Sequence, residues 1–237
     1  MAITVSEHPS LHTAPTPLVP GRPPLSWREP VIVVFSTVLL TAVHYHANLR
    51  CLSDPKDRLL AWMAITFVVL FGLPALFIRL VLKQRLSEFG LQLGKARMWA
   101  QWSLVFGVVM IFGILIAASL GSFQDYYSFH QWAGRNTVSF LIFAAGWGLY
   151  FFAWEFFFRG FMLFGLARSL GNHAIIIQMV PFVMMHYSKP ALESYGAIIA
   201  GVALGLMAYR SKSFIGCWLL HWVVAVAMYA VVLFGGR

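Results

Sequence analysis

Seven stretches of the chain carry no charged side chain: 31–49, 59–78, 98–124, 136–154, 169–188, 194–209 and 213–236. A helix rising 1.5 Å per residue needs about 20 apolar residues to cross the hydrocarbon core of a bilayer. Six stretches have 19 to 27 residues, and five of them fit easily. The 16 residues of 194–209 are flanked by polar side chains that can reach the interface. The pattern predicts an all-α protein, a polytopic transmembrane helical bundle of about seven spans. The fourth stretch resumes beyond Glu155 and Arg159 through 161–167, so these two charges lie inside an apolar segment. One long helix and a bent one are both compatible with it. Residues 1–30 hold seven of the eleven prolines and read as a flexible cytoplasmic tail. Residues 31–82 form the first two transmembrane helices. The stretch 83–99 alternates basic and apolar residues, which predicts a cytoplasmic interfacial helix and loop. Residues 100–237 form the transmembrane core.

Composition agrees with this reading. Hydrophobic residues make up 60% of the chain and charged ones 11%, against about 25% charged in soluble domains. Cys51 and Cys217 are the only cysteines, too few for a disulfide scaffold. The net charge of +9 would suggest nucleic acid in a soluble protein. Here the basic residues punctuate apolar runs, so they are loop charges that set topology, and no nucleic-acid partner is expected. With the N-terminus inside, ten Lys and Arg fall on the inner side and six on the outer side, which supports that orientation. Ala197, Gly201 and Gly205 place small residues four apart and predict a close helix-packing face.

An ionisable side chain in hydrocarbon is costly and usually marks function. Glu155, Arg159, His186 and His221 qualify. Glu155 and Arg159, four apart, share a helical face and can pair. Such a pair either locks helices together or poises a carboxylate. Two histidines and a carboxylate on three spans can form a water-activating site. Glu155 would be the general base, and a histidine would steady the oxyanion or protonate the leaving amine. The alternative is a zinc set of Glu155, His186 and His221, although no HExxH helix supports it. Otherwise no cofactor is expected. His44 and His46 read as interfacial residues, and His8, His12, His130 and His173 carry no assignment. Phe156, Phe157 and Phe158 read as lipid-facing and packing residues. Cys217, Met184 and Met185 read as core filler. No GxSxG elbow, Ser/Lys dyad or intramembrane Asp appears.

The segment Trp154-Glu155-Phe156-Phe157-Phe158-Arg159-Gly160 resembles the EExxxR motif of the CPBP family, the CAAX proteases and bacteriocin-processing enzymes also called ABI. Phe182 and His186 resemble its FxxxH motif. The run from Ser213 to His221 resembles its final histidine motif. The resemblance extends over about 86–230 and includes Ser87-Glu88-Phe89-Gly90-Leu91. It implies an intramembrane endopeptidase in which a glutamate and a histidine activate water. The substrate would be a membrane-anchored protein or peptide, and the place a bacterial inner membrane. The family's usual base is the first Glu of the motif, which is Trp154 here, so Glu155 as base or essential carboxylate is our inference and not a residue-by-residue match. His186 activates water with it, His221 stabilises the oxyanion, and Arg159 holds Glu155 in place. Two positions depart from the pattern. Trp154 stands where the family has its first Glu, and Ala225 stands where it has the Asn of HxxxN. Glu193, seven residues after His186 in a Lys-Pro-Ala-Leu-Glu stretch, is a candidate second carboxylate or a loop acid neutralising Lys189. The departures motivate an alternative: an inactive CPBP relative acting as a membrane binding or immunity protein. A transporter would require a half-helix pair or inverted repeat, and none is visible.

Overall fold

A computed structural model describes residues 17–46 and 51–235. His8, His12, Arg50 and Arg237 lie outside the described residues, as does most of the predicted tail. Among the described residues the fold is entirely helical: α1 (Arg28–His46), α2 (Pro55–Leu80), α3 (Ala96–Ala118), α4 (Gly121–Tyr127), α5 (Thr137–Leu170), α6 (His173–Met184), α7 (Ala191–Ser211) and α8 (Ile215–Phe234). It is a polytopic bundle. Five helices, α2, α3, α5, α7 and α8, are long and apolar enough to cross a membrane. They arise from five of the seven predicted stretches. The stretch 31–49 yields α1, which begins with Arg28 and Glu29. The stretch 169–188 yields only the 12-residue α6, which ends in a turn before His186. Leu104, Val105, Val109, Phe112 and Ile116 of α3 are largely exposed, an apolar belt that suits lipid and not water.

Glu155 and Arg159 lie in one continuous 34-residue helix, which settles the question left open by the sequence. The helix changes its winding at the charged pair. Phe156–Met162 is a π-helical turn. The wider turn rotates the following positions, and all seven of its residues are buried. The three phenylalanines expected partly at lipid are fully enclosed. A second π turn, Val68–Gly72 in α2, lies alongside, and Phe71 packs edge-on against Phe152 and Phe156 at 5.2 and 4.9 Å. The wide turns let aromatic rings fill the space between α2 and α5.

The predicted interfacial segment 83–99 contains a 3₁₀ turn, Leu86–Phe89, and no α-helix before Ala96. Its loop is bound to the α7–α8 turn. Lys95 N–H donates to the Ser211 carbonyl at 2.8 Å, Phe214 N–H to the Gly90 carbonyl at 3.3 Å, and the Ser213 hydroxyl to the Gln92 carbonyl. Gly90 has φ of +79°, and a Cβ there would strike the Phe164 ring at 2.5 Å. Ala197, Gly201 and Gly205 are buried, the two glycines against α6. A Cβ on Gly201 would meet Met179 at 2.6 Å, and one on Gly205 would meet Gln178 at 2.8 Å. The small-residue face is thus a packing surface. Cys217 is core, as expected, but Met184 is exposed because α6 ends there.

Candidate active site

Helix α5 carries Glu155 and Arg159 into the centre of the bundle, where neither has any exposed surface. Arg159 Nη1 donates to Glu155 Oε1 at 3.1 Å. Helix α8 brings His221 to the same oxygen, with Nδ1 at 2.6 Å. Two tryptophans set the register of α8 on α5. Trp218 Nε1 donates to the Gly148 carbonyl and Trp222 Nε1 to the Ala144 carbonyl, both at 2.8 Å. Gly148 admits the Trp222 indole, since a Cβ there would lie 3.0 Å from it. His221 rests on the Phe151 ring at 4.1 Å and keeps 17% of its side chain exposed. It is the accessible edge of an otherwise enclosed cluster.

His186 follows α6 in the turn toward α7. Its Nδ1 lies 2.7 Å from the Phe182 carbonyl, and the Ser194 hydroxyl donates to its own carbonyl at 2.6 Å. Phe182 joins the parts of the site. The Arg159 guanidinium sits 3.9 Å over its ring, the His186 ring lies 4.6 Å away and the His221 ring 6.3 Å away. An arginine seated on an aromatic face gains cation–π attraction without hydrogen bonds. His186 also stands edge-on to Trp154 at 6.0 Å. Glu155, Arg159, His186 and His221 therefore meet in one place.

Glu193 has hydrogen-bond partners of its own, Lys189 and Tyr127. Lys189 Nζ holds one of its oxygens at 2.6 Å, and the Tyr127 hydroxyl donates to the other at 2.7 Å. It neutralises Lys189, and both of its oxygens are engaged. Tyr127 was invisible to the sequence reading, because its partner lies 66 residues away.

Hydrogen positions follow from donor chemistry. A carbonyl only accepts, so neutral His186 carries its proton on Nδ1 and its lone pair on Nε2. An ionised carboxylate only accepts, so His221 donates from Nδ1 to Glu155 and likewise leaves Nε2 as a base. Several buried polar atoms have no hydrogen-bond partner among the described residues: Glu155 Oε2, Arg159 Nε and Nη2, and Trp154 Nε1. Unpaired groups of this kind are costly. They comprise three donors and one acceptor on adjacent turns of one helix.

The zinc alternative of Glu155, His186 and His221 draws no support from the geometry. Among the described residues no three His, Cys, Asp or Glu side chains come together as a metal site requires. Glu155 Oε1 already serves a guanidinium and an imidazole, and a cation would have to displace or face Arg159.

No curated protein and no solved structure matches the chain. A family model does. Residues 135–227, the stretch that holds all three motifs, are similar to the family described as Type II CAAX prenyl endopeptidase Rce1-like.

Proposed function

We propose that this integral membrane protein is an intramembrane endopeptidase cleaving a membrane-anchored protein or peptide, with the Glu155–His221 pair activating water. The observation that carries the reading is the 2.6 Å contact between a wholly enclosed carboxylate and an imidazole that keeps 17% of its side chain exposed. The matched family is a protease family, which supports hydrolysis in general. The tail end of the bundle is read as cytoplasmic from its basic residues.

In this mechanism a water held near His186 Nε2 and His221 Nε2 attacks the scissile carbonyl carbon. Its proton passes to His221 Nε2, and Glu155 stabilises the imidazolium. A C–O bond forms, and the carbonyl oxygen becomes an oxyanion that accepts hydrogen bonds from Trp154 Nε1 and the free Arg159 N–H groups. His221 then delivers its proton to the amine as the C–N bond breaks. Glu155 acts here as partner of the base, not as the base itself. His221 Nε2 becomes a donor only once it has taken the proton, so oxyanion stabilisation falls to its neighbours. Glu193 is a positioning residue for the turn that carries His186.

The test is cleavage of a membrane-anchored reporter by purified variants of native thermal stability. Glu155→Gln, His186→Ala and His221→Ala are each expected to lower the rate about 10²–10⁴-fold, while Glu193→Gln stays within tenfold. Full processing by Glu155→Gln overturns the assignment. A second reading, the inactive relative that binds a membrane partner, is favoured by Ala225 and by the complete burial of Glu155 and Arg159. It requires the same substitutions to leave the cellular phenotype intact.

A further inference from the structure

The basic loops that set topology come together at one end of the bundle. The start of α1, the segment after α2, the end of α5 and the end of α7 enclose an open cleft of about 470 Å³. Arg22, Arg28, Arg168 and Lys212 line it, together with the Tyr209 hydroxyl. Its two carboxylates do not pair with them. Glu29 accepts from the Ser26 amide, the Ser26 hydroxyl and the Ser169 hydroxyl, and Glu88 accepts from the Arg85 amide. Among the described residues none of the four cations forms an ion pair. Arg22 is already oriented: it donates to the Tyr209 hydroxyl at 3.0 Å and to the Ala167 carbonyl at 3.4 Å. The wall is apolar, with Ile32, Leu82, Phe89 and Phe164. The cleft is separate from the active site. Arg168 lies 13 residues beyond Glu155 on α5, about 20 Å along the helix at 1.5 Å per residue.

We propose that this cleft binds the phosphate of an anionic phospholipid headgroup, with the glycerol and upper acyl carbons against its apolar wall. Four cations against two engaged carboxylates leave unsatisfied positive charge, and arginines match phosphate geometry in a fixed fork. The site lies at the ends of the spans, at headgroup depth, where basic pockets between helices take such lipids. A free phosphate would meet the same cations but would leave the apolar wall bare.

The test uses the full chain in nanodiscs of phosphatidylcholine with and without phosphatidylglycerol. Retained lipid is read by native mass spectrometry and stability by thermal unfolding. Wild type is expected to retain phosphatidylglycerol selectively and to gain Tm from it. Arg168→Gln and Lys212→Asn are each expected to lower that retention about fivefold, and the double variant about 25-fold. Asn at 212 suits the left-handed φ of +60° found there. Arg135→Ala, an exposed charge at the opposite end, serves as control and should change nothing. Equal loss in the control, or undiminished retention in the double variant, overturns the proposal. Inorganic phosphate added to phosphatidylcholine nanodiscs separates the sources: no gain in Tm supports a lipid, and a gain matching that of phosphatidylglycerol overturns it.

Discussion

At the scale of single residues, the centre of this protein is an expensive arrangement. A carboxylate and a guanidinium sit in hydrocarbon surroundings with three nitrogen or oxygen atoms unpaired. Packing alone does not call for this, since apolar residues of the same size would be at least as stable. Trp154 sharpens the point. At the position where the related motif has an acid, it contributes a buried N–H beside His186 that has no partner. Trp154→Phe keeps the ring packing against Tyr150 and Phe158 and removes only the donor. Its cleavage rate is expected to fall about 10²-fold, as for loss of one oxyanion donor, with Tm close to wild type. An unchanged rate would show that the N–H does not face the reaction.

At the scale of elements, two devices place the site. The π turn after Glu155 turns Arg159 inward, and the small-residue face of α7 draws α6 close enough for Phe182 to lie under the guanidinium. Gln178 secures that contact by donating from Nε2 to the Gly201 carbonyl at 2.9 Å. Gly201→Val would push into Met179 and the edge of Phe182. It is expected to destabilise the protein by about 1–3 kcal/mol, measured as a lowered Tm, and to slow cleavage by displacing His186. The small-residue spacing was legible in the sequence because a helix repeats every three to four residues. The π turn was not, because its extra residue leaves no trace in composition. The short α6 was hidden in the same way: Pro181 sits inside it without ending it, and the chain turns only after Met184.

At the scale of the whole molecule, the segment before α1 is fastened to the end of α5. Glu29 is buried there. Burial works to raise its carboxyl pKa, but hydrogen bonds from Ser169 and Ser26 outweigh it and hold the group below its ordinary 4.5. A carboxylate with a lowered folded value adds stability above its unfolded value and loses it as the pH falls through the folded one. Glu29→Gln is therefore expected to unfold more easily than wild type at pH 7, by about 1 kcal/mol. The gap should close as the pH drops below 4.5, in thermal unfolding followed from pH 7 to pH 3.

The membrane-spanning character and the helical class were determined by the sequence alone, because lipid forces every backbone group into a helix, and the same chemistry makes each buried charge conspicuous. Which of those charges meet was decided by the tertiary structure. Glu155 and His221 lie 66 positions apart and touch only because two indoles lock α8 onto α5. Glu193, seven residues from His186, is bonded to Lys189 and Tyr127. Sequence spacing measures distance along one helix. Partners on different helices are set by how the faces pack, and that depends on side-chain shape over the whole bundle.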